Sequence, residues 1–282
     1  MTALIRIGSI ETMPANAPNT DRIPAFEYHK GTSPLIVCAP HVGTYIPPAI
    51  AARLNETGLA VRETDFHVHR LFDFVRDLGA TTLLATHSRY VIDLNRDPAG
   101  ANLYPGRFET GLCPVSDFDQ APIYCGAPPA SDEIEMRRVS YWQPYHDQLQ
   151  AALEATIAHH GRALLIDAHS IRAVIPSLFD GRLPDLNFGT NSGQTLRGFA
   201  LSALEDWRSK TTAYSHVRDG RFKGGYTTRH YGALSPQIQA LQIEIVQDTY
   251  LDSQTLHLYD EAKAAPLSRT LRPLVESLLA AL

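Results

Sequence analysis

The stretch Ala163-Leu-Leu-Ile-Asp-Ala-His-Ser-Ile-Arg172 constrains the chain more than any other. Ala163 to Ile166 is a short apolar run with the length and bounding of a buried strand, and Asp167, His169, Ser170 and Arg172 follow it directly. Open α/β sheets bind ligands beyond the carboxyl ends of their strands, so a strand that ends in such groups predicts a site. Pro34-Leu-Ile-Val-Cys-Ala-Pro40 repeats the pattern and ends in His41. A lone histidine there is more often a hydrogen-bonded structural residue; two at two strand ends point to shared chemistry.

Further elements alternate around these two. Thr81 to Ala85 reads as a strand, and Ile238 to Val246 alternates so that Ile238, Ala240, Gln242, Glu244 and Val246 share one side. Helices are expected from Thr64-Asp65 through Val75, from Asp132 to Gly161 with a kink or break at Pro144, over 194–210, and in the tail from Ser253. Residues 98–130, rich in Pro and Gly, read as a long loop over the site. The whole, 1–282, is expected to be one α/β domain with an irregular N-terminal arm over 1–33.

Composition removes several classes. A net charge of −5 leaves no basic footprint for nucleic acid. Cys38, Cys113 and Cys125 are too few and too irregularly spaced for a disulfide framework or a thiolate metal site, which fits a reducing compartment. With no signal-peptide core at Met1 to Gly8 and no run of about 18 apolar residues, a cytoplasmic protein is expected.

Polar residues cluster at four further places. Asp65 and His67 stand at a helix start, where an acid serves equally well as a cap. Arg89, Asp93, Asn95 and Arg96 surround the apolar Val91, Ile92 and Leu94. Lys223, Arg229 and His230 lie in a glycine-bearing segment and are available to an anion, and Glu244 sits on a strand among apolar neighbours, where an unpaired carboxylate is costly. Catalytic zinc takes three nitrogen or oxygen ligands and leaves a position open, which His41 and His169 with one carboxylate would satisfy. A second carboxylate must move the proton, and Glu244 suits that task. Two rivals stand beside this reading: a cysteine hydrolase using Cys38, or Cys113 or Cys125 of the long loop, weakened by the apolar setting of Cys38, and a non-catalytic protein whose arginines hold a dicarboxylate.

Pro40-His-Val-Gly-Thr-Tyr-Ile-Pro47, Thr64-Asp-Phe-His67, Ser88-Arg-Tyr-Val-Ile-Asp-Leu-Asn-Arg96, Asp167-Ala-His-Ser-Ile-Arg172, Gly181-Arg-Leu-Pro-Asp-Leu-Asn187 and Gly220-Arg-Phe-Lys-Gly-Gly-Tyr226 together resemble the N-formylglutamate amidohydrolase (N-formylglutamate deformylase) family, in its order, from about residue 34 to 252. The resemblance implies hydrolysis of N-formyl-L-glutamate to formate and L-glutamate, the last step of one route of histidine degradation. It also implies a three-layer α/β sandwich with a mixed central sheet, distantly similar to zinc carboxypeptidases and aspartoacylases. By the same resemblance one zinc ion is held by His41 and His169, Asn95-Arg96 handles a substrate carboxylate, and Glu244 is the catalytic glutamate. Those relatives carry a glutamate three residues after the first histidine, whereas Thr44 stands here, so Asp65 is the expected third ligand, with His67 in reserve. His69 likewise replaces an expected acid. A substrate with two carboxylates calls for several cations, and Arg89, Arg96, Arg172, Lys223 and Arg229 are available. Asp167 is placed to orient an imidazole. A zinc amidohydrolase acting on another N-acyl amino acid or a small peptide is the near alternative.

Overall fold

Nine consecutive buried residues make Ala163–Ile171 the centre of a seven-stranded sheet in the computed structural model, which describes residues 23–255 and 257–282. The strands are β1 (Phe26–His29), β2 (Leu35–Ala39), β3 (Thr81–Ala85), β4 (Ala163–Ile171), β5 (Leu186–Gly189), β6 (His216–Arg218) and β7 (Ile238–Val246). They lie in the order β1-β3-β2-β4-β7-β5-β6. The inner four run parallel, β1 and β5 pair antiparallel with β3 and β7, and β6 runs parallel to β5, so the sheet is mixed.

The two faces of the sheet differ in chemistry. On one, Leu35, Val37 and Ala39 of β2, Leu164, Ile166 and Ala168 of β4, and Leu241, Ile243 and Ile245 of β7 form an unbroken apolar layer. It is covered by α3 (Gly198–Lys210) and α5 (Glu261–Ala280), through residues such as Leu204, Trp207, Leu267 and Leu274. The other face starts equally apolar, with Ile36, Ala163, Leu165, Ile238 and Ala240 packed under Tyr145, Leu149 and Leu153 of α2 (Gln143–His160) and Tyr231 of α4 (Tyr226–Leu234). Toward the carboxyl ends it turns polar: Asp167 and His169 follow on β4, and Gln242 and Glu244 on β7. Side chains of one strand alternate between faces, so these four residues project on the same side as the apolar ones preceding them. Helices on both faces give a three-layer α/β arrangement, and among the described residues no helix is long and apolar enough to cross a membrane.

The structure departs from the expected elements at five places. The anchor strand does not stop at Ile166 but continues through Ile171, so its polar residues lie on the strand itself. Residues 1–22 of the expected arm lie outside the described residues, while Phe26–His29 is an edge strand rather than irregular chain, with Phe26 against Tyr145. The helix expected from Thr64 shrinks to Val68–Leu71 and a 3₁₀ turn, because Asp65 spends its side chain on His169 instead of capping. Lys223, Arg229 and His230 do not share a loop, since a helix begins at Tyr226. At Pro144 the expected break takes the form of a π turn: α1 (Ser131–Arg137) passes through Arg138–Trp142 into α2, which ends at Gly161 in the left-handed region at φ 74°. The tail helix starts later than its first residues suggested, at Asp260, whose side chain caps Ala262 N and Lys263 N.

Gly189 couples the sheet to the segment entering α4. A Cβ there would lie 2.5 Å from Gly224 N and 2.8 Å from the Lys223 carbonyl carbon, both backbone atoms that cannot swing aside. Gly189→Ala should therefore lower the unfolding free energy by about 1–3 kcal/mol, read as a lower urea midpoint with an unchanged slope.

Candidate metal and active site

His41, Asp65 and His169 converge at the carboxyl ends of β2 and β4, with one ligand atom from each lying within 4.8 Å of the others. Pro40 ends β2 and presents His41, and Asp65 joins it because its backbone N–H donates to the His41 carbonyl at 2.9 Å. His169 Nδ1 is 2.9 Å from Asp65 Oδ2, and His41 Nδ1 is 3.8 Å from the same oxygen. All three residues are at most 3% exposed.

The outer nitrogen of each ring is held from behind. His41 Nε2 lies 2.7 Å from Asp93 Oδ1, and His169 Nε2 lies 3.0 Å from Asp167 Oδ1. A carboxylate at Nε2 keeps the proton there and, at His41, leaves the Nδ1 lone pair pointing inward, the pattern that orients metal-binding histidines, while His169 Nδ1 is paired with Asp65. Asn95 Nδ2 is 2.8 Å from His169 Nε2 and 3.2 Å from Asp167 Oδ2. A ring nitrogen that gives its proton to Asp167 cannot also accept one, so the amide donates to Asp167. His41 Nδ1 is buried without any hydrogen-bond partner. An orphaned imidazole nitrogen facing a second imidazole and a carboxylate oxygen is a donor set that fits a divalent cation such as zinc.

Electrostatics around the cluster run in opposite directions. Burial would push His169 down, but the carboxylates of Asp167 and Asp65 outweigh it and hold the imidazole well above its ordinary value. Burial, helped by the Arg89 charge, lowers His41 despite Asp93. Asp93 is fully buried, which alone would raise it, yet Arg89 and His41 bring it well below the usual carboxylate range. A cation binding here would have to displace a proton from His169.

Glu244 stands beside His169 because the two are register partners of β7 and β4. Gln242 Nε2 donates to its Oε2 at 3.0 Å, while Gln242 Oε1 accepts from Gly225 N at 2.6 Å. Burial, only partly offset by His169, raises the carboxyl to about 7. That places it where a proton acceptor and donor is most effective near neutral pH.

One cavity opens onto these groups, and its wall includes Arg89, Asn95 and Arg96. Arg89 is pinned to Asp93 at 2.6 Å, and Arg96 donates through Nε to the Thr110 carbonyl at 2.8 Å. Arg172, Lys223 and Arg229, expected from sequence as substrate cations, do not reach this wall. Arg172 is paired with Glu63 and Asp119, Arg229 holds the Gly224 and Leu103 carbonyls, and Lys223 is exposed. His67, the reserve ligand, faces the His257 carbonyl at 3.0 Å, and Thr44 is exposed. Cys38 is fully buried, and burial together with Asp167 pushes its thiol up, against a nucleophilic role, while neither Cys113 nor Cys125 lines the cavity. Residues 98–130 do form part of the wall, through Tyr104, Phe108, Thr110 and Phe118. Among the wall residues not proposed as site residues from sequence are Gln242 and Arg221. Strand alternation placed the first on the side of Glu244; the second lies in the Gly220–Tyr226 motif, which assigned it no role.

A family model described as N-formylglutamate amidohydrolase matches residues 33–251. The N-formylglutamate deformylase of Pseudomonas aeruginosa is 44% identical over 254 residues, 90% of this chain and 95% of that protein. The Pseudomonas putida protein of the same name is 41% identical with the same coverage. The crystal structure of N-formylglutamate amidohydrolase from Ralstonia eutropha superposes with a TM-score of 0.74 at 28% identity, covering 92% of this chain and 97% of that one.

Asp93 touches no cation directly but fixes the donor geometry of His41. Asp93→Asn should weaken the binding of added zinc about 10–100-fold, measured by competition with a chromogenic chelator.

Proposed function

The chain belongs to the N-formylglutamate amidohydrolase family, and from that premise we propose that it hydrolyses N-formyl-L-glutamate to formate and L-glutamate, with one zinc ion held by His41, Asp65 and His169. The reading rests on one observation: two buried imidazoles, each backed by a carboxylate at Nε2, meet Asp65 next to a carboxyl whose proton affinity is tuned to about 7. When bound, zinc supplies Lewis acidity, polarising a carbonyl and lowering the pKa of water to about 7. Every other step falls to the protein's own groups.

Glu244 takes the proton of the attacking water and delivers it to the leaving nitrogen of glutamate, so that the amine departs neutral. Gln242 keeps the Glu244 carboxylate turned into the cavity through its donated hydrogen bond. Arg89 and Arg96 give the cavity the positive potential that a doubly charged substrate needs, and Asn95 and Arg96 orient it for attack. Asn95 is itself fixed, since its Oδ1 accepts from Thr227 N at 2.8 Å. The three cysteines are free, which accords with the reducing cytoplasm as the proposed setting.

The direct test is formate release by the zinc-loaded protein from N-formylglutamate against N-acetylglutamate; equal rates on both would contradict the reading. Glu244→Gln should keep stoichiometric zinc by elemental analysis and lose about 10²–10⁴-fold in kcat. A variant with normal turnover would remove Glu244 as the base.

Stability gives an independent check. Glu244 is raised above its unfolded value of 4.5, so the ionised side chain costs stability that is fully present below that pH and is lost as pH rises through about 7. In the metal-stripped protein Glu244→Gln should therefore be more stable than wild type at pH 8, by on the order of a few kcal/mol. The gain should shrink markedly by pH 5, as read from urea midpoints.

A further inference from the structure

One arginine in the cavity wall leaves its two terminal nitrogens without an acceptor among the described residues. Arg221, between β6 and α4, donates from Nε to the Leu178 carbonyl at 2.7 Å. Its Nη1 is buried without a partner, and its Nη2 makes no hydrogen bond to any described residue. The guanidinium rests against the rings of Tyr104 and Phe222, 4.9 and 5.1 Å from their centroids. Its plane is thus held in place while the two-pronged edge stays uncommitted. A buried cationic donor left unpaired is costly, so an edge built this way calls for an anion.

Among the described residues no acidic group supplies that anion. Glu109 lines the same cavity, but its two carboxylate oxygens accept from the backbone N–H groups of Leu103 and Tyr104. The other two cavity arginines are already engaged at an Nη: Arg89 Nη2 on Asp93, and Arg96 Nη2 on Thr110 Oγ1. Arg221 alone among the three keeps both terminal nitrogens free. It is also separate in the chain from the zinc ligands and from Arg89 to Arg96, so a carboxylate on it occupies a second anionic position of the cavity.

We propose that Arg221 receives the side-chain carboxylate of the substrate in bidentate fashion, and that it selects an acidic side chain over its neutral amide. The proposal rests on the deformylase reading above. A planar fork matches the two oxygens of a carboxylate, whereas a carboxamide offers one oxygen and sets its NH₂ group against guanidinium N–H donors. A site built to pair a charged group rejects the isostere that cannot complete the pair.

The test uses the zinc enzyme with N-formylglutamate and N-formylglutamine, which differ only at that carboxylate. Wild type should prefer the acid, and Arg221→Gln should lose on the order of 100-fold in kcat/KM on it while changing less than about threefold on the amide. Arg221→Lys, which keeps the charge but not the fork, should fall between them and serves if the glutamine variant does not fold. Inhibition by glutarate should weaken in parallel. Equal losses on both substrates, or no loss on either, would overturn the assignment. A wild-type enzyme that releases formate from neither substrate would overturn the deformylase reading instead. Calorimetric binding of glutarate then decides Arg221 separately, since an unchanged affinity in Arg221→Gln would exclude it as the carboxylate receptor.

Discussion

Two fully buried carboxylates, Asp93 and Asp167, hold this molecule's chemistry and much of its fold in one network. Asp93 ties the ring of His41 to Arg89 and to the backbone N–H of Asn95. Asp167 ties the ring of His169 to the Asn95 amide and to Thr228 Oγ1 of α4. Burial alone would neutralise both acids, and in each case the surrounding positive groups prevail. Breaking such a buried set by removing one member leaves uncompensated charge, typically at a cost of about 3–5 kcal/mol. The end of β2, the 89–96 segment, β4 and the start of α4 are therefore fixed relative to one another by the same bonds that aim the histidines.

The elements behind the site extend this support. Trp142, the last residue of the π turn, donates from Nε1 to the Arg96 carbonyl at 3.1 Å and stacks on His146 at 3.9 Å. Burial pushes His146 down to about 3, so this ring is a neutral packing and hydrogen-bonding group and not a proton carrier. Single π turns occur often at functional sites, and here the wider turn spares α2 the bond that Pro144 cannot make while bringing an indole to Arg96. On the other side Gly225 lets the backbone press against Asn95, since any Cβ would run into its amide.

Strand identity, the two histidines and Glu244 were legible because they follow from short apolar runs and a two-residue alternation, signals that survive without knowledge of tertiary contacts. Charged loop residues carry no such signal. Arg172 and Arg221 are alike in composition and setting, yet Glu63 and Asp119 neutralise the first while nothing neutralises the second. Asp65 was readable only as a cap or a ligand, and its choice depends on a backbone hydrogen bond to His41 far from it in any sequence pattern. The edge strand β1 escaped because four residues among prolines and threonines hold too little periodicity to show.

The division of the sheet into a mainly apolar face and one that turns polar toward the carboxyl ends also governs how the strands find their alignment. Shifting β4 or β7 by one residue against its neighbours would reverse its faces, driving Asp167 and His169, or Gln242 and Glu244, into the layer beneath α3 and α5. Charges stranded there would have no partners, so misaligned pairings are penalised far more than in an all-apolar sheet. The residues that cost this protein stability in its native state are thus also the ones that make its competing states worse.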